Sequence, residues 1–364
     1  MKLAILLNRD RPRLRTLGKA VLTVGWEWSR GRPATATPVL PEFDGLPRLL
    51  DADPLVLGTG EALDVTRLAG ADALLWEWGW TPDAARRVLE IRARVDLPLL
   101  MFPGPLDRFW RELDARDLPV HFEALRATDA IGVMLADTAS FYAGLAPGAH
   151  VCHLPVPVDT ERFARLAVPP AERDPDLVLL TAPSRVCGGA TQMPITTYLT
   201  FARLAARRPA LRGVCFCYDD EERAQVQALL RELGLASRVD VRRYVRPLPR
   251  FLEQVRRCAL ALTLPHALVQ GRLALMLACL EVPMVTSDGI ETHRRLYPRT
   301  SVPCFDVEAA TRRCEELLDE PAVAAEVARG ARAAVEYYGL APAGARLADA
   351  LAAARRRPAL EEGA

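Results

Sequence analysis

Arg185 and the pair Gly188 and Gly189 are the residues whose types and spacing best suit the binding of an anion. An Arg presents a planar fork of donors that matches phosphate oxygens. Two glycines beside a helix start let backbone N–H groups approach a phosphate. A surface Arg and a simple turn explain the same residues without a ligand. His266, Gly271 and Arg272 follow the apolar run 259–265, and Asp288 and Gly289 close the run 282–289. Both runs read as buried strands, and groups at the carboxyl ends of parallel strands are placed to meet ligands. In the first half, Trp78 and Trp80 follow the apolar run Ala73–Leu75, with Glu77 beside them. Aromatic faces near a carboxylate suit stacking on a sugar, and a core or a protein interface uses the same residues equally well.

Other chemistries find little support. The chain has eight cysteines, of which Cys215, Cys258 and Cys279 sit inside apolar patterns, where a free thiol behaves as a small buried hydrophobe. The Cys215–Phe216–Cys217 spacing is not that of a zinc site, and His121, His150 and His153 form no i, i+4 pair. No metal is expected. The formal net charge of +1 gives no global pull toward nucleic acid or acidic lipid. Basic residues are almost all Arg, with Lys2 and Lys19 the lysines, and the separated Arg clusters read as solvated faces. The apolar run Leu3–Leu7 is too short for a signal-peptide core. No stretch approaches the ~18–20 apolar residues a bilayer span requires. A cytoplasmic protein with no transmembrane segment is expected.

Positioning such residues takes a scaffold, and the pattern supplies one. At 364 residues the chain suits two domains, each of roughly 150–180 residues. Buried strands are expected at Leu3–Leu7, Ala73–Trp76, Leu97–Phe102, Ala130–Leu135 and His150–Leu154. Helix-length segments separate them, among them Pro82–Arg94 with Thr81 as N-cap and Pro82 at the first helical position. That alternation implies parallel pairing. The proline-rich, charged segment 167–176 breaks the pattern and reads as a linker. Strands at Leu177–Ala182, Gly213–Tyr218 and Val239–Tyr244 then restart it, with helices at Pro194–Ala206, up to Leu233 before Gly234, and at Leu248–Arg257. The expected organisation is an N-terminal Rossmann-like domain at 1–168, a second at 169–340, and a C-terminal helix and tail at 341–364. Two doubly wound α/β domains with a cleft between them are the expected fold. Periplasmic-type binding proteins share that pattern, and the missing signal peptide counts against them.

Three segments resemble the family 4 glycosyltransferases of GT-B fold. In the first, Val151-Cys-His-Leu-Pro-Val-Pro-Val-Asp-Thr-Glu-Arg-Phe163 is similar to the family's interdomain signature. Asp159 and Phe163 match it, and Val156-Pro157 replaces the usual Asn-Gly. In the second, Asp176–Arg185 resembles the first strand of the family's C-terminal domain, and Arg185 takes the place of an arginine that contacts the donor diphosphate. The Lys that shares this work in the family is Ala190 here. In the third, 259–291, Pro265 and Gly271 match the family pattern, and Glu291 matches a Glu of its following helix. The two donor-site glutamates fall on Leu268 and Met276, and His266 replaces a common Ser. Asp107, after Phe102-Pro-Gly-Pro, stands where the family carries a His or Asp. The resemblance covers 127–340 by motif and the first 126 residues by architecture.

The resemblance implies a glycosyltransferase moving a sugar from a nucleotide-sugar donor with retention, without a metal or cofactor. Its donor-side candidates are Arg185, Gly188, Gly189, His266, Gly271, Arg272, Asp288, Gly289 and Glu291. Trp78, Trp80 and Asp107 are the acceptor-side candidates. Loss of both glutamates points the other way, to a catalytically inactive GT-B-like partner subunit or binding module with a protein partner. The nucleotide, the sugar and the acceptor are left open.

Overall fold

A computed structural model describes residues 3–9, 56–58, 66, 71–77, 82–103, 114–180, 194–217, 219–245, 248–265 and 270–355. The chain divides into two compact units, Met1–Val158 with Leu340–Ala364, and Asp159–Gly339. No helix among the described residues is long and apolar enough to cross a membrane.

The first unit holds a six-stranded parallel sheet of β1 (Leu3–Arg9), β2 (Val56–Gly58), β3 (Ala73–Glu77), β4 (Leu99–Phe102), β5 (Ala130–Val133) and β6 (His150–His153), in the order β2-β1-β3-β4-β5-β6. Successive side chains of a strand face opposite ways, and two cores result. Leu74, Trp76, Leu99, Met101, Ile131 and Val133 meet Val88 and Ile91 of the helix Pro82–Arg94 on one side. Ala73, Leu100, Phe102 and Ala130 meet Leu347, Ala350, Leu351 and Ala354 on the other. Those four residues belong to the helix Leu340–Arg355, so the end of the chain covers a face of the sheet made by its beginning. Asp129 ties the layers together: its carboxylate accepts from the Leu99 backbone N–H at 2.8 Å and from Arg92 at 3.1 Å.

The second unit holds β7 (Asp174–Leu180), β8 (Arg212–Cys217), β9 (Val239–Arg243), β10 (Cys258–Thr263), β11 (Met284–Ser287) and β12 (Ser301–Val302), again all parallel, in the order β12-β11-β10-β7-β8-β9. The segment 167–176 lies inside this unit, where Pro170–Glu172 forms a 3₁₀ turn and Asp174 opens β7. It reads as aperiodic because the first four residues of that strand are not buried and only its last three are. Taken in chain order from β7, the strands lie 6-5-4-1-2-3, the order of dinucleotide-binding α/β domains. Helix Pro194–Arg207 buries Tyr198, Phe201, Leu204 and Ala205 at helical spacing. The helix Asp220–Glu232 opens on Asp219, whose side chain accepts from the Glu222 N–H at 2.7 Å, and closes before Gly234 at φ 67°. That left-handed turn requires a glycine or its equivalent.

Candidate functional site

In a doubly wound sheet the winding reverses between two neighbouring strands, and their carboxyl ends diverge to leave a ligand crevice. In the second unit those strands are β7 and β10. The chain leaving β10 is held from both sides. The Leu264 N–H donates to Thr197 Oγ1 at 3.0 Å, from the first turn of helix Pro194–Arg207. The Ser287 hydroxyl, at the end of β11, donates to the Pro265 carbonyl. Thr197, Thr263, Thr286 and Ser287 are all buried at this edge. Buried hydroxyls are costly unless bonded, and the bonds given fix the backbone exit of a strand whose body is apolar.

Gly271 follows at φ 66° and ψ 50°, as the N-cap of helix Arg272–Cys279. Its carbonyl accepts from the Ala274 N–H at 2.9 Å. A Cβ added to Gly271 would stand 2.8 Å from His293 Cδ2 and nearer still to Nε2. His293 is buried on the helix Glu291–Leu296, and its Nδ1 lies 2.6 Å from Thr286 Oγ1. Burial pushes the imidazole pKa down to about 3, so the ring is neutral near pH 7. Neither His293 nor its partner Thr286 stands out in the sequence. The sequence marks Gly271 at a helix start, and carries no local mark of the ring that packs on it.

The candidates fall into four groups. Gly271 packs directly on the helix that carries Glu291. Arg272, Asp288 and Gly289 are exposed at the ends of β10 and β11. The Asp288 N–H donates to the Val302 carbonyl at 2.8 Å, and the Asp288 carbonyl accepts from Arg294. Glu291 is buried and accepts from Arg295 Nε at 2.8 Å, while the Arg295 guanidinium lies 4.4 Å from the centre of the Tyr337 ring. Met276, at one of the two positions where the resemblance expects a glutamate, is half-buried. Arg185, Gly188, Gly189, His266, Leu268, Trp78, Trp80 and Asp107 lie outside the described residues. Trp76, the residue beside that Trp pair, is core at 2% exposure.

Among the described residues no group of three or more His, Cys, Asp or Glu side chains could hold a metal ion. Burial pushes the thiols of Cys258 and Cys279 up to about 12, which keeps them protonated and unreactive. Asp159, one of the two matches in the interdomain signature, has a local task as well. It is the N-cap of helix Thr160–Ala164 and accepts from the Arg162 N–H at 3.0 Å.

No family profile and no curated protein sequence matches the chain. Solved structures match in fold. The UDP-forming α,α-trehalose-phosphate synthase of Burkholderia xenovorans is 14% identical, over 80% of this chain and 76% of that one, with a TM-score of 0.63. The N-terminal domain of Candida albicans trehalose-6-phosphate phosphatase is 13% identical over 96% of this chain and 83% of that one, with a TM-score of 0.66. An E. coli trehalose-6-phosphate structure bound with UDP-2-fluoro glucose is 12% identical over 96% of this chain and 99% of that one, with a TM-score of 0.65. Identities this low carry the fold and not the chemistry. The chain has two Rossmann-like α/β domains and the GT-B glycosyltransferase fold.

Proposed function

We propose that this protein is a glycosyltransferase of family 4 type that takes its sugar from a nucleotide-sugar donor, with retention and without a metal. The observation that carries the reading is the second sheet. Its winding reverses between β7 and β10, and the exit of β10 there is fastened by Thr197 and Ser287. A fixed backbone at a switch point suits a nucleotide diphosphate. The binding of UDP-2-fluoro glucose by a structural neighbour supports the donor class. Arg185, Gly188, Gly189 and His266 would meet the donor from the loops after β7 and β10, with Gly271, Arg272, Asp288, Gly289 and Glu291 around them. Trp78, Trp80 and Asp107 would serve the acceptor from the first unit.

A second reading has its own support. Met276 offers a sugar no carboxylate, and Glu291 is already engaged by Arg295. The same fold also occurs as the N-terminal domain of a phosphatase. A catalytically silent binding module or partner subunit fits these facts.

Thermal unfolding with a panel of nucleoside diphosphates and their sugars, followed by a donor-hydrolysis assay, separates the readings. A specific ligand at ~100 times its dissociation constant adds about 2.7 kcal/mol of stability. Stabilisation with turnover supports the transferase. Stabilisation without turnover supports the module, and no response to any nucleotide defeats the donor site.

A further inference from the structure

We propose that His293 is a positioning residue of the donor site, a ring fastened to the sheet by Thr286 that sets the place of Gly271 and so of the start of helix Arg272–Cys279. Its consequence for donor binding rests on the function proposed above, whereas the lock itself rests on geometry alone.

Two independent features demand a glycine at 271. The first is its φ of 66°, where a side chain is strained. The second is spatial, because a Cβ would run into the His293 imidazole. Glycine and ring are therefore matched in size, and neither changes freely without the other. The ring does not float. Its Nδ1 is 2.6 Å from the Thr286 hydroxyl, and Thr286 pairs in register with Thr263 of β10. Its own backbone is fixed too, with the His293 N–H donating to the Ile290 carbonyl at 3.0 Å and its carbonyl accepting from the Tyr297 N–H at 2.8 Å. The imidazole thus spans from the end of β11 to the segment that leaves β10.

An apolar side chain of the same volume would fill this space at less cost, since a buried imidazole and a buried hydroxyl must satisfy each other. What the pair adds is direction. A hydrogen bond fixes the ring plane, and the ring edge then fixes how closely Gly271 approaches. The neutral state of the ring, with its pKa pushed down to about 3 by burial, keeps that geometry constant near pH 7.

The test combines urea unfolding with calorimetric titration of UDP and UDP-glucose, on the full chain, for Gly271→Ala, His293→Ala, the double variant, and His293→Asn. The Asn side-chain oxygen stands near the place of Nδ1, so it can keep the Thr286 bond while emptying the space beside Gly271. We expect the double variant to be more stable than the sum of its single losses, because removing the ring makes room for the new methyl. We expect UDP affinity, measured where every variant is fully folded, to fall roughly tenfold in His293→Ala, and to fall also in His293→Asn. Additive stability losses, or UDP binding in His293→Ala as tight as in the wild type, would overturn the inference and leave the proposed function standing. A wild-type chain that binds neither UDP nor UDP-glucose defeats the function and the donor role of His293 together. The stability coupling between 271 and 293 would then decide the lock by itself.

Discussion

At the amino end of the second sheet, long charged and aromatic side chains tie down backbone carbonyls. Arg173 donates to the carbonyls of Val168 and Leu280, Arg256 to that of Leu166, and the Tyr297 hydroxyl to that of Val282, with the short Thr300 hydroxyl donating to that of Met284 beside them. At the carboxyl end Arg294 donates to the Asp288 carbonyl after β11, and the fasteners around the exit of β10 are short and neutral: Thr197, Ser287, and the Thr286–His293 pair. Both ends must satisfy backbone groups where strands start and stop. The long side chains bridge far-apart segments and fill the space between them. The short ones reach only the backbone beside them, the Leu264 N–H and the Pro265 carbonyl. In this unit, then, the amino end of the sheet is held mainly by long side chains that link separate segments, and the exit of β10 at the other end is held by short hydroxyls.

The largest expected effect tests the amino end. Tyr297 is 1% exposed, so Tyr297→Ala should leave a cavity and cost about 3–5 kcal/mol in urea unfolding. Nucleotide affinity per folded molecule should not change. A loss of affinity there would show that the two ends are not separate in function.

The next tests the opposite end. Thr197→Val removes the acceptor of the buried Leu264 N–H, and an unmet buried donor costs about 1–3 kcal/mol. Here the nucleotide affinity should fall as well, read by titration at a temperature where the variant is folded. Unchanged affinity would reduce Thr197 to a structural fastener and remove the contrast.

Much of this scaffold was legible in the sequence. The helix Pro82–Arg94 and the strands β10 and β11 follow from apolar periodicity with proline or glycine at the boundaries. Gly234 closes its helix in the left-handed conformation. The strands Val56–Gly58 and Ser301–Val302 are too short to show a period. The helix Val307–Asp319 carries its own signal in the sequence: Asp306 caps it, and Ala310, Thr311, Cys314 and Leu317 form its buried stripe. The site is a different matter. His293 sits among Glu291, Thr292, Arg294 and Arg295 and looks like one polar residue in a charged helix. Its burial depends on Gly271 and Thr286, and no local pattern shows a contact between distant segments.

The pH dependence of stability isolates His293 from its charged neighbours. In the unfolded chain a His titrates near 6.5, and in the folded protein burial lowers His293 to about 3. Above pH 6.5 the ring is neutral in both states and contributes no slope. As the pH falls below 6.5 the unfolded chain takes up the proton first, so stability falls, by at most about 1.4 kcal/mol per pH unit from this one group. His293→Asn should flatten that part of the profile between pH 6 and pH 4. An identical slope in the variant would mean that the imidazole is not held neutral.

The smallest effect returns to the amino end. Glu281 has φ 56° and is the one described non-glycine residue at positive φ. It lies in the turn before β11, where a side chain in the left-handed region costs roughly 1–2 kcal/mol. Glu281→Gly relieves that strain, and the greater freedom of glycine in the unfolded chain returns roughly 0.5–1 kcal/mol of it. Against the gain stands the Glu281 charge. Burial lowers the pKa of the Arg173 guanidinium, and Glu281 acts to raise it again. A half-buried pair of this kind is screened by solvent and contributes little. The backbone term should therefore win by a few tenths of a kcal/mol, visible as a small rise in the unfolding midpoint with no change in nucleotide binding. A fall in the midpoint would mean that Glu281 is kept in a strained conformation because its charge holds Arg173 in place, making electrostatics the dominant force at that end of the sheet.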